Sequence, residues 1–306
     1  MNQLQTPPTG EQFEITREGA TAIITELAAS LRYFSIDGTE VVEAYAEDAL
    51  PSFAAGIVLV PWPNRIEDGV WSLDGKQLQL DITEVDKNNA IHGLLRNTGY
   101  RQLERTEGAV TLGATVHPQH GYPFHLETTV RYELVDGGMD VTHTIKNLSA
   151  AKAPVAVGTH PFFKIGDVPI EQLELTVHAS TYLELDARLL PVAEHQVDGT
   201  SFDFREPKLV GDRIFDNAFG AVKTVHGASA ELRAPDGRTV RLLQDDSHPY
   251  VQVFTTPKFA KVSGSGLAIA LEPMTAAPNA FNSGDGLRWV EPGATWTLGW
   301  GIRYSA

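Results

Sequence analysis

The 306-residue chain has no cysteine, which excludes disulfides, thiol nucleophiles and thiolate metal sites. It has no apolar run of the length a membrane-spanning helix needs. Residues 1–10 carry neither the basic start nor the apolar stretch of a secretory signal, so they read as a loose polar arm and the cytoplasm is the expected location. Positive charge is scarce as well. Lys and Arg total 24 against 39 Asp and Glu, a net charge of -15, which opposes non-specific association with nucleic acid or with anionic membrane. No P-loop and no G-x-G-x-x-G fingerprint occurs, and Gly264-Ser-Gly266 lacks the spacing of a nucleophile elbow. His117-Pro-Gln-His120, with His125 near it, lacks the third ligand and the helical register of zinc motifs. The expectation is therefore no cofactor and no metal. Oligomeric state has no signature in the chain.

What is present points to strands. Asp-Gly occurs at Asp37-Gly38, Asp74-Gly75, Asp136-Gly137 and Asp236-Gly237, each between strand-like residues, a dipeptide suited to the type I′ hairpin turn. Alternating segments include Val70 to Leu80, Asp140 to Ile145, Glu174 to Val177 and Thr239 to Leu243. Only Asp48 to Ala55 suggests a short helical turn. Many short strands at regular turn spacing predict an all-β sandwich or barrel. The length prior permits two domains, but no linker, low-complexity tract or repeat divides the chain, and a single domain over residues 1–306 is expected.

The chemistry is expected in the stretch from Gly266 to Phe281. Read as a strand, it puts Leu267, Ile269 and Leu271 on one face and Ala268, Ala270 and Glu272 on the other. Two alanines beside a carboxylate leave a shallow floor for a small molecule, and Pro273 is expected to end the ladder there. Pro154 to Pro161 repeats the design. Val155, Val157 and Thr159 share one face, Ala156, Gly158 and His160 the other, and a proline follows at once. Each residue alone reads as an ordinary strand end. As a matched pair, Glu272 and His160 supply a general base and a general acid.

Other candidates have plainer readings beside the functional one. Asn64 and Arg65, braced by Pro61 and Pro63, would aim fixed donors at a polyol, or belong to a rigid loop whose Arg meets a surface carboxylate. Trp62 would offer an aromatic face to sugar C–H groups. His92 lies beside Gly93, which would permit a close backbone approach to a ligand; a lone loop His is more often structural. Asp216 between aromatics would bridge two hydroxyls, or cap an Asx turn. Gln252, on the apolar strand from Tyr250 to Thr255, must find hydrogen bonds if buried, or else faces solvent.

Taken together, these residues resemble the aldose 1-epimerase (galactose mutarotase) family from about Ala55 to the C-terminus, with the motifs in the family's order. Asn64-Arg65-Ile66, the Leu73-Asp-Gly75 hairpin, Asn89-x-x-His92-Gly93, His160-Pro-Phe-Phe163, Asp216, Val251-Gln-Val-Phe-Thr255 and Leu271-Glu272 carry the likeness. Thr159 stands where the family usually has Asn, Glu-Pro-Met-Thr replaces the common Glu-Thr-Gln, and one Gly rather than two follows His92. The resemblance implies a large antiparallel β-sandwich of the galactose mutarotase type, a small sugar as substrate, and interconversion of its anomers. It implies Glu272, ionised, as base and His160, at least partly protonated, as acid, with Asn64, Arg65, His92, Asp216 and Gln252 holding the sugar. Three rivals are a hexose-phosphate epimerase using Arg96 or Lys164, a glycoside hydrolase using Asp216 and Glu272, and a non-catalytic sugar-binding protein.

Overall fold

The computed structural model describes residues 6–306. In Leu126–Val135 and Gly138–Asn147 nearly every second side chain is buried, so each strand turns one face inward. Joined through Asp136-Gly137, they lie between Ala109–Val116 and Thr295–Ser305 in a nine-stranded sheet. A second sheet has eight strands. Pro191–Gln196, Ala179–Leu185, Asp216–Val222, Tyr250–Lys261, Gly264–Met274, Gly158–Thr159 and Val58–Leu59 run side by side, and Phe162–Phe163 also pairs with Gly264–Met274. Strand pairing throughout both sheets is antiparallel. Val130, Tyr132 and Val141 of the first sheet and Val251, Val253, Ile269 and Leu271 of the second belong to one contiguous core. The sheets are thus layers of a sandwich, as expected.

Helix is nearly absent. Among the described residues the α-helical segment is Ala280–Ser283, and no helix is long and apolar enough to cross a membrane. The short helical turn expected near residue 50 is a 3-10 turn at Ser52–Ala54. Two of the four Asp-Gly pairs form the expected turn, with both φ values positive: Asp37 and Gly38 at 49° and 77°, Asp74 and Gly75 at 50° and 78°. At Asp136-Gly137 only the Gly is left-handed. Asp236-Gly237 sits in a longer connection between Arg233 and Thr239, in which Asp236 accepts hydrogen bonds from the Arg238 backbone and guanidinium. The first half of the expected loose arm, residues 1–5, lies outside the described residues. In the second half Thr9 is buried and its carbonyl accepts the Leu27 N–H at 2.9 Å.

Both key strands depart from expectation at their prolines. Pro273 does not end the Gly264–Met274 ladder: Val251 still pairs with Pro273 and Tyr250 with Met274. An antiparallel ladder tolerates a missing donor at alternate positions on one side. The stretch from Pro154 to Pro161 is two short strands. Ala153–Val155 pairs with Arg288–Val290, and Gly158–Thr159 with Gly264–Met274 and Val58–Leu59. Between them the Ala156 N–H goes to the Pro61 carbonyl and the Val157 N–H to the Thr275 hydroxyl. Alternation survives the break, with Val155 and Val157 in the main core and Ala156 in a separate cluster of small residues.

Candidate active site

On the outer face of the eight-stranded sheet, Ala268 and Ala270 pack with Phe162, Phe254 and Phe259 in a second cluster. Glu272 continues that face into a cavity of about 270 Å³, the scale of a single small ligand. His160 follows the Gly158–Thr159 strand directly. Its N–H donates to the Ile57 carbonyl at 3.2 Å and its carbonyl accepts the Gly56 N–H at 2.7 Å, so the backbone is held from both sides. Its ring lies over Phe162 with centroids 5.2 Å apart and meets His92 edge-on at 5.5 Å. His160 Nε2 lies 3.3 Å from Glu272 Oε1. Glu272, inside the Gly264–Met274 strand, and His160, just past Gly158–Thr159, thus have their titratable groups in contact. His160 Nδ1 and Glu272 Oε2 are both buried without a partner among the described residues, an arrangement that calls for an explanation.

Burial sets the charge of this pair. It pushes the Glu272 carboxyl well above its usual range, helped by the nearby Asp216 charge and opposed by Arg65. It pushes His160 down to about 4, with Arg65 acting in the same direction. This corrects the expectation of an ionised Glu272 facing a charged imidazole. Desolvation is the largest effect on both groups, and it favours the neutral form of each. The pair still holds one proton between two sites 3.3 Å apart, so either member is able to take or give it.

The expected sugar-holding residues divide. Asn64, Arg65, His92 and Asp216 line the cavity with the catalytic candidates; Gln252 does not. Gln252 is buried opposite Glu272 in the ladder, and its amide donates to Asp216 Oδ1 at 2.7 Å. It fixes Asp216 rather than facing the cavity. Arg65 donates to both oxygens of Glu84, Nε to Oε2 at 2.9 Å and Nη2 to Oε1 at 3.0 Å, and reaches Asp216 Oδ2 at 3.5 Å. Burial works against its charge, but these carboxylates outweigh it and raise its pKa. Asp216 is itself raised by burial beyond what Arg65 and Gln252 offset. His92 is held well below the usual histidine range by burial, then by His160 and Arg96.

Several sequence readings change here. Trp62 is a core residue, edge-on to Phe281 at 5.4 Å, and offers no face to a ligand. Gly93 is small for the chain's own sake, since a Cβ there would lie 2.2 Å from the Val60 carbonyl oxygen. Lys164 is bound to Glu40 at 2.8 Å and does not line the cavity, whereas Arg96 does. Glu84, which anchors Arg65, was not singled out in the sequence, where nothing marks it among other loop carboxylates. Nor was Phe53, which lines the cavity opposite Phe254 at 5.9 Å with a left-handed φ of 49°.

The family model described as Aldose 1-epimerase matches residues 11–303. The YihR protein of Escherichia coli is 30% identical over 285 residues, 93% of this chain and 90% of its own length. Human galactose mutarotase is 30% identical over 218 residues, 65% of this chain and 61% of its own. Among solved structures, the GalM/aldose epimerase homologue from C. elegans superposes with a TM-score of 0.83 at 19% identity, covering 96% of this chain and 98% of that one. The galactose 1-epimerase from Lactobacillus acidophilus superposes with a TM-score of 0.77 at 18% identity, covering 96% and 94%.

Proposed function

The chain belongs to the aldose 1-epimerase family, and from that premise we propose that it interconverts the α and β anomers of a free aldohexose such as glucose or galactose. The observation that supports this reading is the buried contact of His160 Nε2 with Glu272 Oε1 at 3.3 Å in the cavity wall. Glu272 takes the proton of the anomeric hydroxyl, whose O–H electrons form the carbonyl. The bond from C1 to the ring oxygen breaks, and that oxygen takes its proton from His160. The free aldehyde rotates by half a turn about C1–C2. Closure returns both protons and delivers the other anomer.

The pair carries one proton at every stage. In the open-chain state it sits on Glu272 and leaves His160 neutral, which is the arrangement that burial favours. The reaction starts from the charged arrangement, whose cost is reduced by contact between the two groups. Asn64, Arg65, His92 and Asp216 hold the remaining hydroxyls, with Glu84 and Gln252 fixing Arg65 and Asp216. A protein that only bound sugar would have no use for an acid and a base in contact.

Polarimetry on freshly dissolved α-D-glucose and α-D-galactose tests this, with wild type beside Glu272→Gln, His160→Asn and a buffer blank. Wild type is expected to speed the approach to equilibrium, and each variant to lose about 10²–10⁴-fold in kcat. Full activity in either variant, or no acceleration by wild type, would overturn the reading.

A further inference from the structure

The cavity has two unlike walls. Asn64, Arg65, His92 and Asp216 line it with polar groups, whereas Phe53, Ala54 and Phe254 line it with apolar ones. Phe53 is the anomaly among them. It is a large apolar side chain left 44% exposed, and its backbone is left-handed at φ 49° and ψ 41°, with Ala54 left-handed after it at φ 59°. A bulky L-residue is strained there, and such strain persists only where the surroundings impose it. Here they do. The Ala55 N–H donates to the Ser52 carbonyl at 3.0 Å, the Ser52 hydroxyl accepts the Ala260 N–H at 3.1 Å, and the Ser30 hydroxyl donates to the Ala55 carbonyl at 2.8 Å. Gly56, the next residue, donates its N–H to the His160 carbonyl at 2.7 Å, so the turn carrying Phe53 is bonded to the backbone of the proposed acid. The Phe53 ring lies 5.9 Å from that of Phe254, tilted by 45°, and Phe254 in turn meets the His160 ring edge-on at 6.0 Å. A row of rings thus runs from the exposed Phe53 to His160.

We propose that Phe53, continued by Phe254, is the surface on which the C–H face of a pyranose ring lies, which makes Phe53 a residue that positions the sugar. The inference rests on the preceding reading of the cavity as the site of anomer exchange. A pyranose is amphipathic: hydroxyls surround its edge, while hydrogens on carbon form an apolar patch on a face. The negative π face of an aromatic ring attracts such weakly positive hydrogens, and the polar wall is left to take the hydroxyls. The plainer role for Phe53 is to cover Phe254 and the cluster of Phe162 and Phe259 with which it packs. The two roles differ in what truncation does. Losing a cover costs stability. Losing a sugar platform costs affinity, and removing an exposed, strained side chain costs the fold little.

The test is anomer exchange followed by NMR on glucose and galactose, with thermal unfolding alongside, for wild type, Phe53→Ala, Phe53→Leu and Phe53→Tyr. Phe53→Ala and Phe53→Leu should each raise KM about three- to tenfold. Their kcat should stay within about twofold of wild type, because a contact made equally before and during the reaction acts through KM. Leu keeps apolar bulk without the π face, whereas Tyr keeps the face and should restore the wild-type KM. The Tm of each variant should stay within about 3 °C of wild type. An unchanged KM in Phe53→Ala, whether or not its Tm falls, would overturn the inference, as would a wild-type KM in Phe53→Leu. If wild type exchanges neither sugar, the anomer-exchange reading fails, and calorimetric titration with both sugars decides the inference separately. Weaker binding by Phe53→Ala and Phe53→Leu than by wild type sustains it; equal binding, or none by wild type, sinks it.

Discussion

At the scale of the residue, Glu272, the proposed base, works against the fold that holds it. Its carboxyl is buried and raised well above the ordinary range. Above the unfolded value of about 4.3 the unfolded chain has released this proton while the folded chain keeps it, so folding stability falls as pH rises. Glutamine has the same shape and no proton to keep. Glu272→Gln is therefore expected to be more stable than wild type at pH 8 although inactive. The gap should shrink towards pH 5 at up to about 1.4 kcal/mol per pH unit. Urea unfolding at several pH values checks this; a variant less stable than wild type at pH 8 would mean that Glu272 is ionised in the folded protein. The position of Glu272 was legible in the sequence because period-2 alternation assigns its face. Its charge state was not, because desolvation depends on what covers it.

At the scale of the element, turns and close approaches aim the site. Asn64 and His92 are left-handed at φ 55° and 65°, and the His92 N–H donates to the Asn64 carbonyl at 2.9 Å. Gly93 follows at φ 73°, where a Cβ would fall 2.2 Å from the Val60 carbonyl oxygen and 2.4 Å from its carbon. Backbone atoms cannot step aside as a flexible side chain would. Gly93→Ala is thus expected to cost about 2–4 kcal/mol and to lower activity by moving His92. A loss below about 1 kcal/mol with activity intact would show that the turn adapts. The sequence marked Gly93 as a place of close approach but attributed that approach to a ligand; only the paired loop shows that the neighbour is the chain itself. Prolines misled in the same way, because whether Pro273 ends a ladder depends on which side of the strand needs a donor.

At the scale of the whole molecule, burial favours the neutral form of three histidines. His143 accepts a hydrogen bond from Trp300 Nε1 at 3.2 Å in the nine-stranded sheet, and burial depresses it to about 3. His160 is depressed to about 4, and His92 well below the usual value. The unfolded chain binds a proton at each below about pH 6.5 while the folded chain does not, so stability falls as pH drops from 7. Glu272 and Asp216, both raised, oppose this, but the three depressed histidines outnumber them. The urea midpoint is expected to be lower at pH 5 than at pH 7; an unchanged or higher midpoint would mean that these rings accept protons without unfolding.

The sequence alone determined the all-β class, the faces on which Glu272 and His160 lie, and the residue types proposed for an acid–base site. These follow from alternation and turn chemistry, which act over a few residues. Tertiary structure decided what depends on distant partners: that Glu272 and His160 touch, that Trp62 lies in the core, that Gln252 supports Asp216, and that Lys164 is ion-paired while Arg96 has no ion pair among the described residues. Each of those is set by contacts between chain segments far apart in sequence, where no local pattern carries the information.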